Sequence, residues 1–89
     1  QPTQGRIVRV QGNTITFNLG KRHGVQVGDE FSLLHFNNFV SDDNRSYTGF
    51  NISPYKVIVT SVSQDSAHAT TTEQHILDNI QINDLAVRY

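Results

Sequence analysis

The chain has no cysteine among its 89 residues. Neither a disulfide nor a thiolate metal site can brace it, and redox chemistry through sulfur is excluded. This absence leaves the compartment open, because it suits an oxidising and a reducing one equally. Long apolar runs are also missing. Nothing approaches the roughly 20 residues that cross a bilayer as a helix, and the opening QPTQGR has neither the charged nor the apolar region of a signal peptide. Charge of one sign is lacking too: seven basic against eight acidic side chains give a net charge of -1. That offers no net attraction to phosphate backbones and argues against nucleic acid as a partner. The chain is expected to be soluble as given, and its start at Gln1 rather than methionine leads us to expect a longer parent.

What is present reads as a single small domain over residues 1–89. A chain this short buries only about 60 to 65% of the surface its unfolded form exposes, so its margin of stability is thin. The clearest element is TITFNL, 14 to 19, in which Ile15, Phe17 and Leu19 alternate with Thr14, Thr16 and Asn18, the period of a half-buried strand. GRIVRV precedes it across Gly12 and Asn13, a pair suited to a tight hairpin turn. EFSLLHF sets Phe31, Leu33 and His35 on one face. YKVIVTSV, AHATTT and LAVRY supply three further runs, with Ala67 and Ala69 small enough for a crowded barrel interior. Only EQHILDN, 73 to 79, has the look of a short helix. The pattern predicts an all-β fold, a small closed or partly open barrel of SH3-like or OB-like type, with about six strands and at most one short helix.

One phrase occurs twice. GVQVGD, 24 to 29, returns as NIQIND, 79 to 84, pairing Gly24 with Asn79 and Gly28 with Asn83, the two residue types that most readily take left-handed backbone angles. We read both copies as bends that launch a strand, with Val25, Val27, Ile80 and Ile82 dropping onto the core and Asp29 and Asp84 accepting backbone hydrogen bonds. The competing reading makes Asp29 and Asp84 a convergent carboxylate pair for acid/base work or a cation.

Other chemistry is sparse. His23, His35, His68 and His75 lie on different elements without metal-ligand spacing, although His35 and His68 could meet across a barrel. GKRHG is not a phosphate-binding loop, since the order G-x-x-x-x-G-K-[ST] is missing. Asp42, Asp43 and Asn44 lack the spacing of a known calcium loop, and NRS and NIS match the glycosylation pattern at Asn44 and Asn51. No catalytic residue, cofactor site or metal site is expected. The stretch from 37 to 52, a loop or a wide hairpin excursion, carries Phe39, Tyr47 and Phe50 among polar residues. Aromatic anchors with a polar surround are what a protein contact uses, so these three are the candidate partner-binding residues. The plain alternative is a lid folded over one barrel mouth.

Together, GRIVRVQGNTITFNLGKRHGVQVGDEFSLLH, SPYKVIVTSV, DSAHATTT and NIQINDLAVR resemble the C-terminal domain of the flagellar assembly protein T (FlgT) family of Vibrio-type bacteria, over Gly5 to Arg88. The resemblance implies a periplasmic, non-enzymatic part of the flagellar basal body. Such a part builds the H ring around the LP ring and helps the motor's T ring assemble. The implied partners are other flagellar ring subunits and basal-body and motor proteins. A glycan- or peptide-binding barrel in the periplasm, stacking its ligand on the same aromatics, is the alternative.

Overall fold

The computed structural model describes residues 2–52, 56–71 and 80–89, without the side chains at 37, 39 and 50–52. The described residues form seven strands: β1 (Thr3–Gln11), β2 (Thr14–Phe17), β3 (Glu30–Val40), β4 (Ser46–Ile52), β5 (Val57–Val62), β6 (Ala67–Thr70) and β7 (Leu85–Arg88). All pair antiparallel. Six of them close a barrel in the order β1, β2, β6, β5, β3, β7, with β7 returning to β1. The all-β barrel expected from the alternation is present. Among the described residues the only helical segment is a 3-10 turn at Lys21–His23, and the expected helix over 73–79 lies outside the described residues.

Alternation decides which side chains fill the barrel. Ile15 and Phe17 on β2, Phe31 and Leu33 on β3, Val57 and Val59 on β5 and Ala67 and Ala69 on β6 are all buried, joined by Ile7, Leu19, Val25 and Ala86. Phe17 and Phe31 meet in a tilted pair, centroids 4.6 Å apart. Each large side chain here is stabilised by about 1.5–3 kcal/mol through loss of contact with water, and the alanines opposite leave the room the two rings need.

The doubled phrase is architectural. In each copy an N–H closes a turn onto a carbonyl three residues back, Asp29 to Gln26 and Asp84 to Gln81, both 3.1 Å. Gly28 at φ 93° and Asn83 at φ 78° take the positive angle that a type II turn requires at its third position. The carboxylates then reach back: Asp29 Oδ2 accepts from the Gln26 N–H at 2.9 Å, and Asp84 Oδ2 from the Gln81 N–H at 2.8 Å. Both turns dock the same way. Gly28 donates to the Val59 carbonyl and Val59 to that of Asp29; Asn83 donates to the Ile7 carbonyl and Ile7 to that of Asp84. At both docking points the ladder slips by a residue, between Ile7 and Arg9 and between Val59 and Ser61, which frees the strand to bend around the turn.

One correction follows. Only the first apolar residue of each phrase reaches the core: Val25 is buried and Ile80 packs against it partly, whereas Val27 and Ile82 are 65% and 59% exposed. They occupy the outer corner of the turn, where the chain reverses and the side chain faces water.

The equivalence extends beyond the turns. In β1–β2 the residues Ile7, Arg9 and Val10 face Phe17, Thr16 and Ile15, and in β5–β6 Val59, Ser61 and Val62 face Ala69, His68 and Ala67 at the same spacing. Matching residues of the two halves meet on two rungs, Thr16 with His68 and Ser32 with Val87. The barrel is therefore two copies of one hairpin-turn-strand unit related by an approximate two-fold axis.

Candidate functional site

The element that breaks this symmetry is β4. Glu30 and Phe31 of β3 pair with β5, and Ser32, Leu33 and Leu34 pair with β7; from His35 onward the ladder partner of β3 is β4 alone. The stretch from 37 to 52 is thus the hairpin excursion, an arm that continues the sheet past the barrel rather than a lid across its mouth. Six residues of β3 carry it roughly 20 Å outward, in a molecule 47 Å long and 28 by 19 Å across.

All three predicted partner-binding residues are on the arm. Phe39 pairs with Tyr47 and Phe36 with Phe50. Rungs three residues apart fall on opposite faces of a ribbon, so the backbone does not bring positions 39, 47 and 50 onto one face. Tyr47 is 42% exposed; the side chains of Phe39 and Phe50 lie outside the described residues. Two exposed apolar residues of the arm escaped the sequence reading, Phe36 and Val40. The signal for them was the two-residue spacing of Leu34, Phe36 and Val40 past the barrel, broken at Asn38. β4 is also the end strand of the sheet, and SYTGFNI carries no charge. Sheet edges are ordinarily protected by charge, proline or a cover.

The arm's tip is built to reverse sharply. Asn44 sits at φ 64°, its N–H donates to the Ser41 carbonyl, and the Ser41 N–H closes the loop onto Arg45, the form of a three-residue hairpin loop with a left-handed last residue. Asp43 is spent within this loop: it accepts from the Ser41 hydroxyl and from the Arg45 N–H at 3.1 Å. The Ser41 hydroxyl, followed by the Arg45 N–H, holds the Asp43 carboxyl below its ordinary value of 3.8. A lowered folded-state value means that this contribution is present at neutral pH and is lost as pH falls through the lowered value. Ser41→Ala is expected to move the Asp43 titration back toward the ordinary value, as followed by carboxyl NMR; an unmoved midpoint would assign the shift elsewhere.

A family model described as the C-terminal domain of flagellar assembly protein T matches residues 12–88. The chain belongs to this family. No curated relative matches it. Membership gives the domain a part in flagellar assembly and associates it with the basal body. The match opens at Gly12, after β1, yet in this chain β1 is a wall of the barrel, paired with both β2 and β7.

The other candidate residues are held apart. Asp29 and Asp84 stand at opposite ends of the antiparallel β3–β7 ladder, about 20 Å from one another along it, so a shared pocket for acid/base work or a cation is ruled out. Asp29 receives Arg88 Nη1 at 2.6 Å, and Asp84 Oδ1 is hydrogen-bonded to His35 Nδ1 at 2.7 Å. His68 is bound to Thr16 Oγ1 at 2.7 Å on the opposite β2–β6 wall, so it does not meet His35. His75 lies outside the described residues. Among the described residues no three His, Cys, Asp or Glu side chains gather around a common point, and no helix is long and apolar enough to cross a membrane.

Proposed function

We propose that this domain is a non-enzymatic assembly module of the H ring, acting in the periplasm, and that the β3–β4 arm is what it offers to neighbouring ring subunits or to motor proteins of the T ring. The observation that carries the reading is the arm itself: a ribbon projecting from a closed barrel, with an uncharged outer strand and the exposed apolar residues Phe36, Val40 and Tyr47. Among the described residues β4 is the end strand of the sheet and pairs with β3 only, so its outer side offers a row of main-chain donors and acceptors. An extended segment of a partner can add to such an edge, taking affinity from the backbone and specificity from side chains.

The test uses two separate variants of the full-length parent: one with the arm shortened by joining Phe36 to Phe50 through Asn-Gly, the other with the arm at full length and Phe39, Tyr47 and Phe50 together replaced by alanine. The barrel should keep its melting temperature within a few degrees. Rings seen by electron microscopy of isolated basal bodies should be missing or incomplete, and swimming in soft agar should fall. Each aromatic is expected to contribute about 1–2 kcal/mol to association. Normal rings and swimming with the short arm would refute the assignment; saturable binding of cell-wall fragments by the intact arm would favour a ligand-binding role instead.

A further inference from the structure

A cleft of about 390 Å3 lies between the start of β1, the segment following β2, the 3-10 turn and β7. Its apolar floor is Leu19 and Leu85, and its polar wall is Gln4, Arg6, Asn18 and His23. Gly5 sets the shape: a Cβ there would lie 2.5 Å from Leu19 Cγ and 2.7 Å from Asn18 Oδ1, so only glycine lets those side chains close in over β1.

Two acceptors of the polar wall, on Asn18 and His23, are engaged, and donors stand beside them. Asn18 Oδ1 accepts from the Arg6 N–H at 2.8 Å, which orients the amide and leaves its NH2 group for a ligand. His23 Nδ1 accepts from the Gly20 N–H at 3.0 Å, so the neutral ring carries its proton on Nε2. Arg6 Nη1 is anchored on the Asn83 carbonyl at 2.8 Å, leaving further N–H groups of the guanidinium uncommitted to it. No carboxylate lines the cleft among the described residues. One fixed cation, an imidazole N–H and amide donors around an apolar floor are matched to a monoanion with two acceptor oxygens and a short apolar stem; a dianion would bring more charge than a single guanidinium offsets.

We infer that this cleft binds a carboxylate, either that of a small acid or that of an Asp or Glu side chain presented by a neighbouring chain. The test uses the 89-residue domain labelled with 15N and two probe pairs: propionate against propionamide, and an acetylated Gly-Glu-Gly amide against its Gly-Gln-Gly counterpart. Saturable shifts at Arg6, Asn18 and His23 are expected for the acids, with Kd on the order of 1 mM, and not for the amides. Response to both acids indicates a small-acid site; response to the peptide alone indicates a partner's side chain. Arg6→Gln should weaken binding about tenfold. Because that change also removes the Asn83 anchor, Gln4→Glu is the second variant: it adds a carboxylate at an exposed position, leaves the hydrogen bonds above in place and should weaken binding by a similar factor. Equal response to acid and amide, no saturable shift, or undiminished binding in Gln4→Glu would each overturn the inference.

Discussion

Replacing Asp84 with alanine is expected to destabilise the domain by about 3 kcal/mol, whereas the same change at Asp29 is expected to cost about 1 kcal/mol. The two residues occupy the same position of the same turn and make the same reach-back bond, so local geometry alone would predict equal losses. Their surroundings differ. Asp84 has only 8% of its side chain exposed, and its second oxygen holds His35, itself 20% exposed. Alanine would strand a largely buried imidazole nitrogen and the Gln81 N–H together. Asp29 is 21% exposed and faces Arg88 at 31%; when freed, that guanidinium can turn to water and keep its bond to Thr3 Oγ1 at 3.2 Å. Total stability of a domain this size is on the order of 5–10 kcal/mol, so the Asp84 variant should show a much lower urea midpoint with an unchanged slope. Asp84→Asn, which keeps an acceptor, should recover part of the loss. Equal midpoints for the two alanine variants would show that the turn, and not the burial of His35, sets the cost.

That difference marks what the sequence could and could not disclose. The hexapeptide repeat was legible because a positive φ demands Gly or Asn and the reach-back bond demands Asp, and these requirements are local. The larger repeat behind it was not, since core positions related by the two-fold have moved apart in size: Ile15 answers to Ala67, Phe17 to Ala69 and Phe31 to Ala86. One half supplies volume and the other yields it, so the packed barrel is preserved while the likeness in sequence is erased. The arm was half legible. Its aromatics stood out against a polar background, but Asn37 and Asn38 interrupt the apolar pattern of β3, and a strand outside the barrel needs no buried face to keep alternating. The cleft left no mark at all, because Arg6, Asn18 and His23 come from three separate segments whose meeting depends on closure of the sheet.

Alanine at Gly20 is expected to cost about 3 kcal/mol, and alanine at Gly12 about 1 kcal/mol, the reverse of what their backbone angles suggest. Gly12 sits at φ 60°, where an L side chain is strained, but nothing lies within 4 Å of a Cβ built there. Gly20 is extended at φ -144°, which any residue adopts. Its Cβ would nonetheless run into the Ser63 carbonyl oxygen, the Gln64 oxygen at 2.5 Å and the Gln64 carbonyl carbon at 2.6 Å. These are backbone atoms and cannot rotate aside. They belong to the β5–β6 turn, onto which the 3-10 turn is latched by the Lys21 N–H to Ser63 at 2.9 Å, the Arg22 N–H to Gln64 at 3.2 Å and the Arg22–Asp65 ion pair at 2.5 Å. Making room for one methyl group therefore means separating two segments joined by three polar contacts. For a domain of this size the Gly20 variant should melt roughly 12–24 °C lower and the Gly12 variant roughly 4–8 °C lower. Because the Gly20 N–H also holds His23 Nδ1, the Gly20 variant should shift the His23 ring resonances and the Gly12 variant should leave them in place. Equal melting temperatures would mean that the latch yields without resistance and that close approach at Gly20 carries no structural weight.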